Sequence, residues 1–229
     1  MNDTLVRLAI TQSELFSQWP SDAIARLITQ AVVLVVEPDT CVHHAGDPAE
    51  HVSLLVAGSM NLSRKMPGGR HFTGGLHLAG EFHGLGPVVA QAPHMFTATC
   101  KEKTVLVRIP GALIREMIAG NGRLAFSLFA ALERRHLRAQ MRHASAAVDS
   151  TQARIAGLLQ SIDARSVHGR TDAEVNLSQD EIAMMLGTRR QVVNRVLREM
   201  AEKGAVQVRY GRISITDSDK LRQMALGTD

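Results

Sequence analysis

The chain has 229 residues, room for one large or two small domains, and 45% of them are hydrophobic, ample for a packed core. Its formal net charge is only +4 at a pI of about 9.5, so the placement of charge matters more than its sum, and arginines cluster between Arg134 and Arg142 and between Arg189 and Arg198. An aromatic content of 3% argues against a single-strand nucleic-acid binder built on stacking platforms; the sequence has neither an apolar run of about 18 residues nor a basic start followed by an apolar core, which predicts a soluble cytoplasmic protein with no membrane partner.

Residues 4–30 read as helical, with Leu5, Leu8, Leu15, Phe16, Ile24, Leu27 and Ile28 recurring near period 3.6 and Pro20-Ser21-Asp22 restarting the helix after Trp19. From Ala31 the pattern changes to short β-type runs. They are broken at Pro38-Asp39, Gly46-Asp47-Pro48, Gly58, Pro67-Gly68-Gly69 and Ala79-Gly80, and Phe96 to Arg108 adds another strand pair. Strands at this spacing predict an antiparallel sandwich or barrel. Cys41 and Cys100 form no metal–thiolate motif and read as two reduced, buried or half-buried thiols.

Pro110 starts helical sequence, and Gly120 or Asn121 breaks it. Gly122 to about Ala146 predicts a helix roughly 36 Å long at 1.5 Å per residue. Its first half is apolar on almost every side, so that one face can cover the β-domain and another a partner helix. The basic second half, with Arg134, Arg135, His136, Arg138, Arg142 and His143, reads as a solvated face, with a DNA contact as the alternative. Ala144 to Asp149 is the expected hinge. Asp149 or Ser150 would cap a further helix from Thr151 to Ala164, and Ser166 to Thr171 reads as a polar loop.

The stretch Leu177 to Lys203 carries the most information. Ser178 with Glu181 three residues on makes a capping box, Ile182, Met185 and Leu186 share one face, and Gly187 supplies a helix-ending left-handed residue. Thr188 is expected to recap the chain. A second helix follows with Val192, Val193, Val196, Leu197 and Met200 inward and Arg189, Arg190, Gln191, Asn194, Arg195 and Arg198 outward. That outer face has the chemistry of a base reader, since arginine suits guanine O6 and N7 and Gln or Asn suits adenine. Arg190, Gln191 and Asn194 lie in its first two turns, the part that reaches base edges.

The pattern L-S-Q-x-E-I-A-x-x-L-G over 177–187, then x-R-x-x-V-x-R-V-L, a Lys203-Gly204 turn and a wing from Val206 to Thr216 resembles the winged helix-turn-helix of the Crp/Fnr family of bacterial transcription regulators. The β-rich part is similar to that family's cyclic-nucleotide-binding-type β-roll, through Leu15-Phe16, Gly46-Asp47-Pro48, Leu54 to Gly58, Gly69-Arg70, and Gly80-Glu81-Phe82 with Gly84. The resemblance implies an α+β protein: an N-terminal antiparallel, jelly-roll-like β-roll sensor with its helices over 1–120, a dimerisation helix and hinge over 121–147, and a winged helix-turn-helix over 148–229. It implies a homodimer packed through Leu124, Leu128 and Leu132, on palindromic double-stranded promoter DNA, with RNA polymerase as a further partner. The DNA-contacting set would be Ser178, Gln179, Thr188, Arg189, Arg190, Gln191, Asn194, Arg195, and Arg209 and Arg212 in the wing. Gln191 stands where cyclic-AMP-responsive members usually carry glutamate.

The effector pocket implied by the resemblance would be lined by Gly80, Glu81, Phe82, His83, Gly84, Leu85, His94, Met95, Phe96 and Thr97. In cyclic-AMP-binding members this segment supplies a ribose-binding glutamate and a phosphate-pairing arginine, because a buried phosphate charge must be paired. Here Leu85 follows His83-Gly84 in place of a second acid, Pro93, His94 or Met95 holds the arginine's place, and no arginine lies between Arg70 and Arg108. Cyclic AMP is therefore not expected, and the effector is unassigned. Seven of the ten histidines fall in the β-rich part, which keeps open a haem held by His83, near where the family's gas sensors place a ligand. No N-terminal cysteine cluster supports an iron–sulfur centre. Two other readings are a sensor whose helix-turn-helix serves only protein contacts and an enzyme; no nucleophile–base pair, phosphate-cradling loop or metal-spaced motif supports the latter.

Overall fold

A computed structural model describes residues 2–69, 71–163, 174–175, 177–209 and 212–227. Arg70, the expected polar loop Ser166 to Thr171 and the wing tip Tyr210-Gly211 lie outside them. The chain divides into two compact units, residues 1–137 and 138–229.

The first unit opens with α1 (Asn2–Gln12) and α2 (Ser21–Gln30), the second entered through Pro20, whose fixed φ suits a helix start. There follow β1 (Val32–Val36), β2 (Cys41–His43), β3 (His51–Ala57), β4 (Ser59–Lys65), β5 (His71–Leu78), β6 (Phe82–His83), α3 (Leu85–Ala90), β7 (Thr97–Cys100), β8 (Thr104–Pro110), α4 (Gly111–Gly120) and α5 (Gly122–Val148), whose residues from 138 on belong to the second unit. The strands make two antiparallel sheets, β1-β8-β3-β6 and β2-β7-β4-β5. Strand alternation builds two cores. Val36, Leu55 and Leu106 from the first sheet meet Met60, Leu62, Ala98 and Cys100 from the second. Val52, Leu54, Val107 and Ile109 turn the other way, onto the helices. The β3–β4 hairpin requires Gly58: its φ is +82°, and a Cβ there would lie 2.5 Å from Thr104 Oγ1. Cys41 and Cys100 are free thiols, half-buried and buried as expected.

Helix α5 corrects the expected dimer face. Leu124 and Leu128 are only 5% and 3% exposed and belong to the chain's own core with Leu15, Phe16 and Trp19, while Leu132 packs against that core. Trp19 Nε1 also donates to Ser127 Oγ at 2.7 Å, seating this side of α5. The free apolar face is the opposite one, with Phe126 75% and Phe129 66% exposed and Leu137 further along. A helix apolar all round does not reveal in sequence which face its own domain takes.

The second unit holds α6 (Thr151–Asp163), β9 (Glu174–Val175), α7 (Gln179–Leu186), α8 (Arg190–Glu202), β10 (Val206–Arg209), β11 (Arg212–Ile215) and α9 (Ser218–Leu226). Its sheet order is β10-β11-β9, and β9 and α9 were not expected from sequence. Ile155, Leu159, Ile182, Val193, Leu197, Met200 and Leu221 are buried. The expected hinge is helical up to Val148; Ser145 holds Asp149 through its hydroxyl, and Ser150 Oγ accepts from Ala153 N at 3.1 Å to start α6. Among the described residues, no helix is long and apolar enough to cross a membrane.

Candidate functional site

The helix pair α7–α8 is fixed by local chemistry. Ser178 Oγ accepts from Glu181 N at 3.2 Å, and Glu181 Oε2 accepts from Ser178 N at 2.9 Å, the expected capping box. Gly187 ends α7 at φ +61°. Thr188 N then donates to Ala183 O at 2.9 Å, so Thr188 closes α7 and the chain enters α8 one residue later. Arg189, not Thr188, occupies the N-cap position, with no side-chain cap bond.

The buried side of α8 carries Val193, Val196, Leu197 and Met200; Arg190, Gln191, Arg195 and Arg198 are exposed on the other. Arg190 pairs with Asp180 at 3.3 Å and Arg195 with Glu199 at 3.9 Å. Such exposed pairs contribute about 0–1 kcal/mol and so do not lock either guanidinium in place. Asn194 is engaged within the helix pair. It is half-buried, and its Nδ2 donates to Gln179 Oε1 at 2.9 Å, so these two amides hold α7 to α8. Arg209 and Arg212 face each other across the last rung of the wing, both exposed.

The expected effector residues divide three ways. Phe82 and Leu85 are buried in the helix-side core, and Gly80 and Glu81 form a turn in which Glu81 Oε2 accepts from Leu78 N at 2.8 Å. Met95 is 62% exposed, while Phe96 packs against the inter-sheet core and Thr97 Oγ1 accepts from Ala45 N at 3.0 Å. His83 and His94 do come together, beside Gly84 (φ +87°), where a Cβ would lie 2.6 Å from His51 O and 3.6 Å from His94 Cε1.

The third member of this group, His43, was missed as a site residue. Its Nε2 lies 2.7 Å from His83 Nε2, and its ring stacks on His94 with centroids 3.5 Å apart. His83 stacks on both at 4.9 and 5.4 Å. Burial chiefly, then the neighbouring His77, His43 and His94 and Arg135, pushes His83 down to about 2. Burial and then His94 take His43 to about 4, and burial also lowers His94, against the pull of Asp47. All three are neutral at pH 7, each with a lone pair. His83 Nε2 meets His43 rather than a slot wide enough for a macrocycle, which does not favour haem on His83.

Arginines reach this region from outside the segment that lacks them. Arg108 Nη2 lies 2.9 Å from His51 Nδ1. Arg135, from α5, donates to Phe82 O at 3.0 Å and to His77 Nε2 at 2.8 Å, with its guanidinium 5.1 Å from the centre of the Phe82 ring. Arg108 falls in the expected β-rich part, but neither arginine was read as a neighbour of the pocket segment.

A β-roll followed by a winged helix-turn-helix defines a DNA-binding transcription regulator and not an enzyme. Residues 33–121 match the cyclic nucleotide-binding domain, and residues 153–224 match the Crp-like helix-turn-helix domain. The chain belongs to the Crp/Fnr family of transcription regulators. It is 24% identical to a CRP-like cAMP-activated global transcriptional regulator of Mycobacterium tuberculosis, over 98% of this chain and all of that one. It is 26% identical to the cyclic AMP receptor protein of Thermus thermophilus, over 81% and 84% of the two chains. Its fold is that of FixK2 from Bradyrhizobium japonicum, with a TM-score of 0.74 at 20% identity over 85% of this chain and 96% of that one. A transcriptional regulator of the CRP/FNR family from Thermus thermophilus superposes with a TM-score of 0.68 at 19% identity, over 86% and 100%.

Proposed function

We propose that the protein works as a homodimer that reads a two-fold palindromic promoter site through α8, under a signal received by the β-roll, with RNA polymerase as its further partner. In functional terms the chain divides into a sensor over 1–120, a dimerisation helix over 121–147 and a reader over 148–229. The observation that carries this reading is the exposed row Arg190, Gln191, Arg195 and Arg198 on a helix whose other side is buried. A protein-docking role suits it poorly, because the row carries no apolar or aromatic anchor around which an interface core could form. Arg190 would read guanine and Gln191 the adjacent pair, with Arg209 and Arg212 on phosphates. Phe126 and Phe129 supply the apolar face for the second copy. The names of the relatives point to cyclic AMP, but residues 80–100 carry no arginine to pair a cyclic phosphate, and the neutral histidine cluster stands there instead.

Selection of binding sites from a random DNA library tests the reading. Wild type should recover a palindrome with half-sites about one helical turn apart. Arg190→Ala should cost about 1–3 kcal/mol and flatten the preference at one base pair of each half-site. An unchanged motif from that variant would sink the assignment.

A further inference from the structure

We propose that His43, His83 and His94 form a binding site for a single late first-row divalent transition ion, with Zn²⁺ the simplest occupant, held between the two sheets of the β-roll. One ligand nitrogen from each residue lies within 4.8 Å of the others. In a tetrahedral site with metal–nitrogen bonds of about 2.0–2.1 Å, neighbouring nitrogens stand about 3.3 Å apart. The 2.7 Å between the Nε2 atoms of His43 and His83 brackets that separation from below, and 4.8 Å bounds it from above. The His94 ring, stacked on His43 at 3.5 Å, has to turn about its terminal torsion for all three nitrogens to meet at one point, and that torsion is soft. Three imidazoles leave a fourth position for water or a small ligand, and such a donor set suits Zn, Cu, Ni or Fe rather than Mg or Ca, which require oxygen ligands.

The scaffold fixes each ligand separately. His83, on β6, is in register with Ser53 of β3, and His43, on β2, with Ala98 of β7. His94 is clamped by two backbone bonds, its N to Asp47 O at 2.9 Å and its O from Gly46 N at 2.8 Å. His43 Nδ1 faces the His44 carbonyl at 3.5 Å, an outer partner of the kind that holds the proton on Nδ1 and leaves Nε2 for the metal. A plain inter-sheet core would fill the same space with aliphatic side chains at lower desolvation cost.

The test uses the full chain, stripped of metal with a chelator and then titrated without DNA, so its outcome is independent of the DNA-binding reading. Co²⁺ should bind one per chain and give the visible bands of a low-coordinate nitrogen site, Zn²⁺ should displace it, and Mg²⁺ should not. His83→Gln and His94→Gln should each weaken Zn²⁺ at least a hundredfold, whereas His136→Ala, on exposed α5 surface, should change nothing. If a variant fails to fold, zinc X-ray absorption on wild type still decides, since it should report an imidazole-rich first shell. No stoichiometric Co²⁺ binding, affinity indifferent to the His83 and His94 changes, or a shell of oxygen or sulfur would overturn the proposal. So would a Soret band that His83→Gln removes.

Discussion

Arg135 Nη2 donates to His77 Nε2 at 2.8 Å, tying the middle of α5 to strand β5 beside the histidine cluster. His77 is buried and stands edge-on to His83 at 5.2 Å, so the guanidinium reaches the cluster through one ring. The same arginine donates to Phe82 O. Removing it strands buried acceptors, and Arg135→Ala should destabilise the first unit by about 2 kcal/mol, as loss of charge-assisted hydrogen bonds does. Arg135→Lys should recover only part, because a point charge does not span both acceptors. Trp19, the single tryptophan, lies in this unit, so urea unfolding followed by its fluorescence reads the effect directly. An unmoved midpoint for Arg135→Ala would show the pair to be incidental.

The two sides of α5 should respond differently to charge. Phe126→Asp with Phe129→Asp should give folded monomers by ultracentrifugation, with unchanged circular dichroism and lost palindrome binding. Leu128→Ala, on the core side, should instead lower stability by about 2–5 kcal/mol while leaving the association state of the folded fraction intact. A dimer that survives the double phenylalanine change would place the interface elsewhere.

On DNA, the wing and α8 should separate by salt. Arg209→Ala and Arg212→Ala should each weaken binding to every sequence and reduce the salt slope by about 1. Gln191→Glu should leave overall affinity for the best site similar and shift one position toward C·G, since glutamate accepts from cytosine N4. Parallel titrations from low to moderate salt, combined with site selection, distinguish the two effects; wing variants that alter the selected motif would contradict the assignment of phosphate contacts.

Asp217 begins α9 by accepting from Lys220 N at 3.0 Å and Asp219 N at 3.1 Å. The Lys220 backbone bond, foremost, holds its carboxyl below the usual 3.8. A depressed carboxylate contributes stability that is fully present above the unfolded value and is lost as pH falls through the folded one. The second unit should therefore lose part of its denaturant resistance as pH drops from about 5 to below 3.8, and Asp217→Asn, which keeps the acceptor but not the charge, should flatten that part of the profile. Identical acid profiles for the two proteins would remove Asp217 as the cause.

The reader was legible because its signals are local. Ser178, Glu181 and Gly187 act within a few residues of themselves, and the valines of α8 announce the buried face by period alone. The histidine cluster was not, because residues 43, 83 and 94 meet only through strand pairing across two sheets. Phe126 and Leu128 show a different limit: both are large and apolar on one helix, and only the packing of Leu15, Phe16 and Trp19 decides which is inside. The Asn194–Gln179 bond was not legible for a related reason, since the two residues lie on different helices.

That Gln179–Asn194 bond has an evolutionary consequence. The bond occupies one Asn194 donor and orients its carboxamide, so Asn194 is a reading group whose direction Gln179 sets. On the proposed mode of DNA binding, changing Gln179 alone releases the Asn194 carboxamide toward the groove. Operator preference can then drift by a substitution outside α8, leaving Arg190 and Gln191 in place while a lineage acquires new targets.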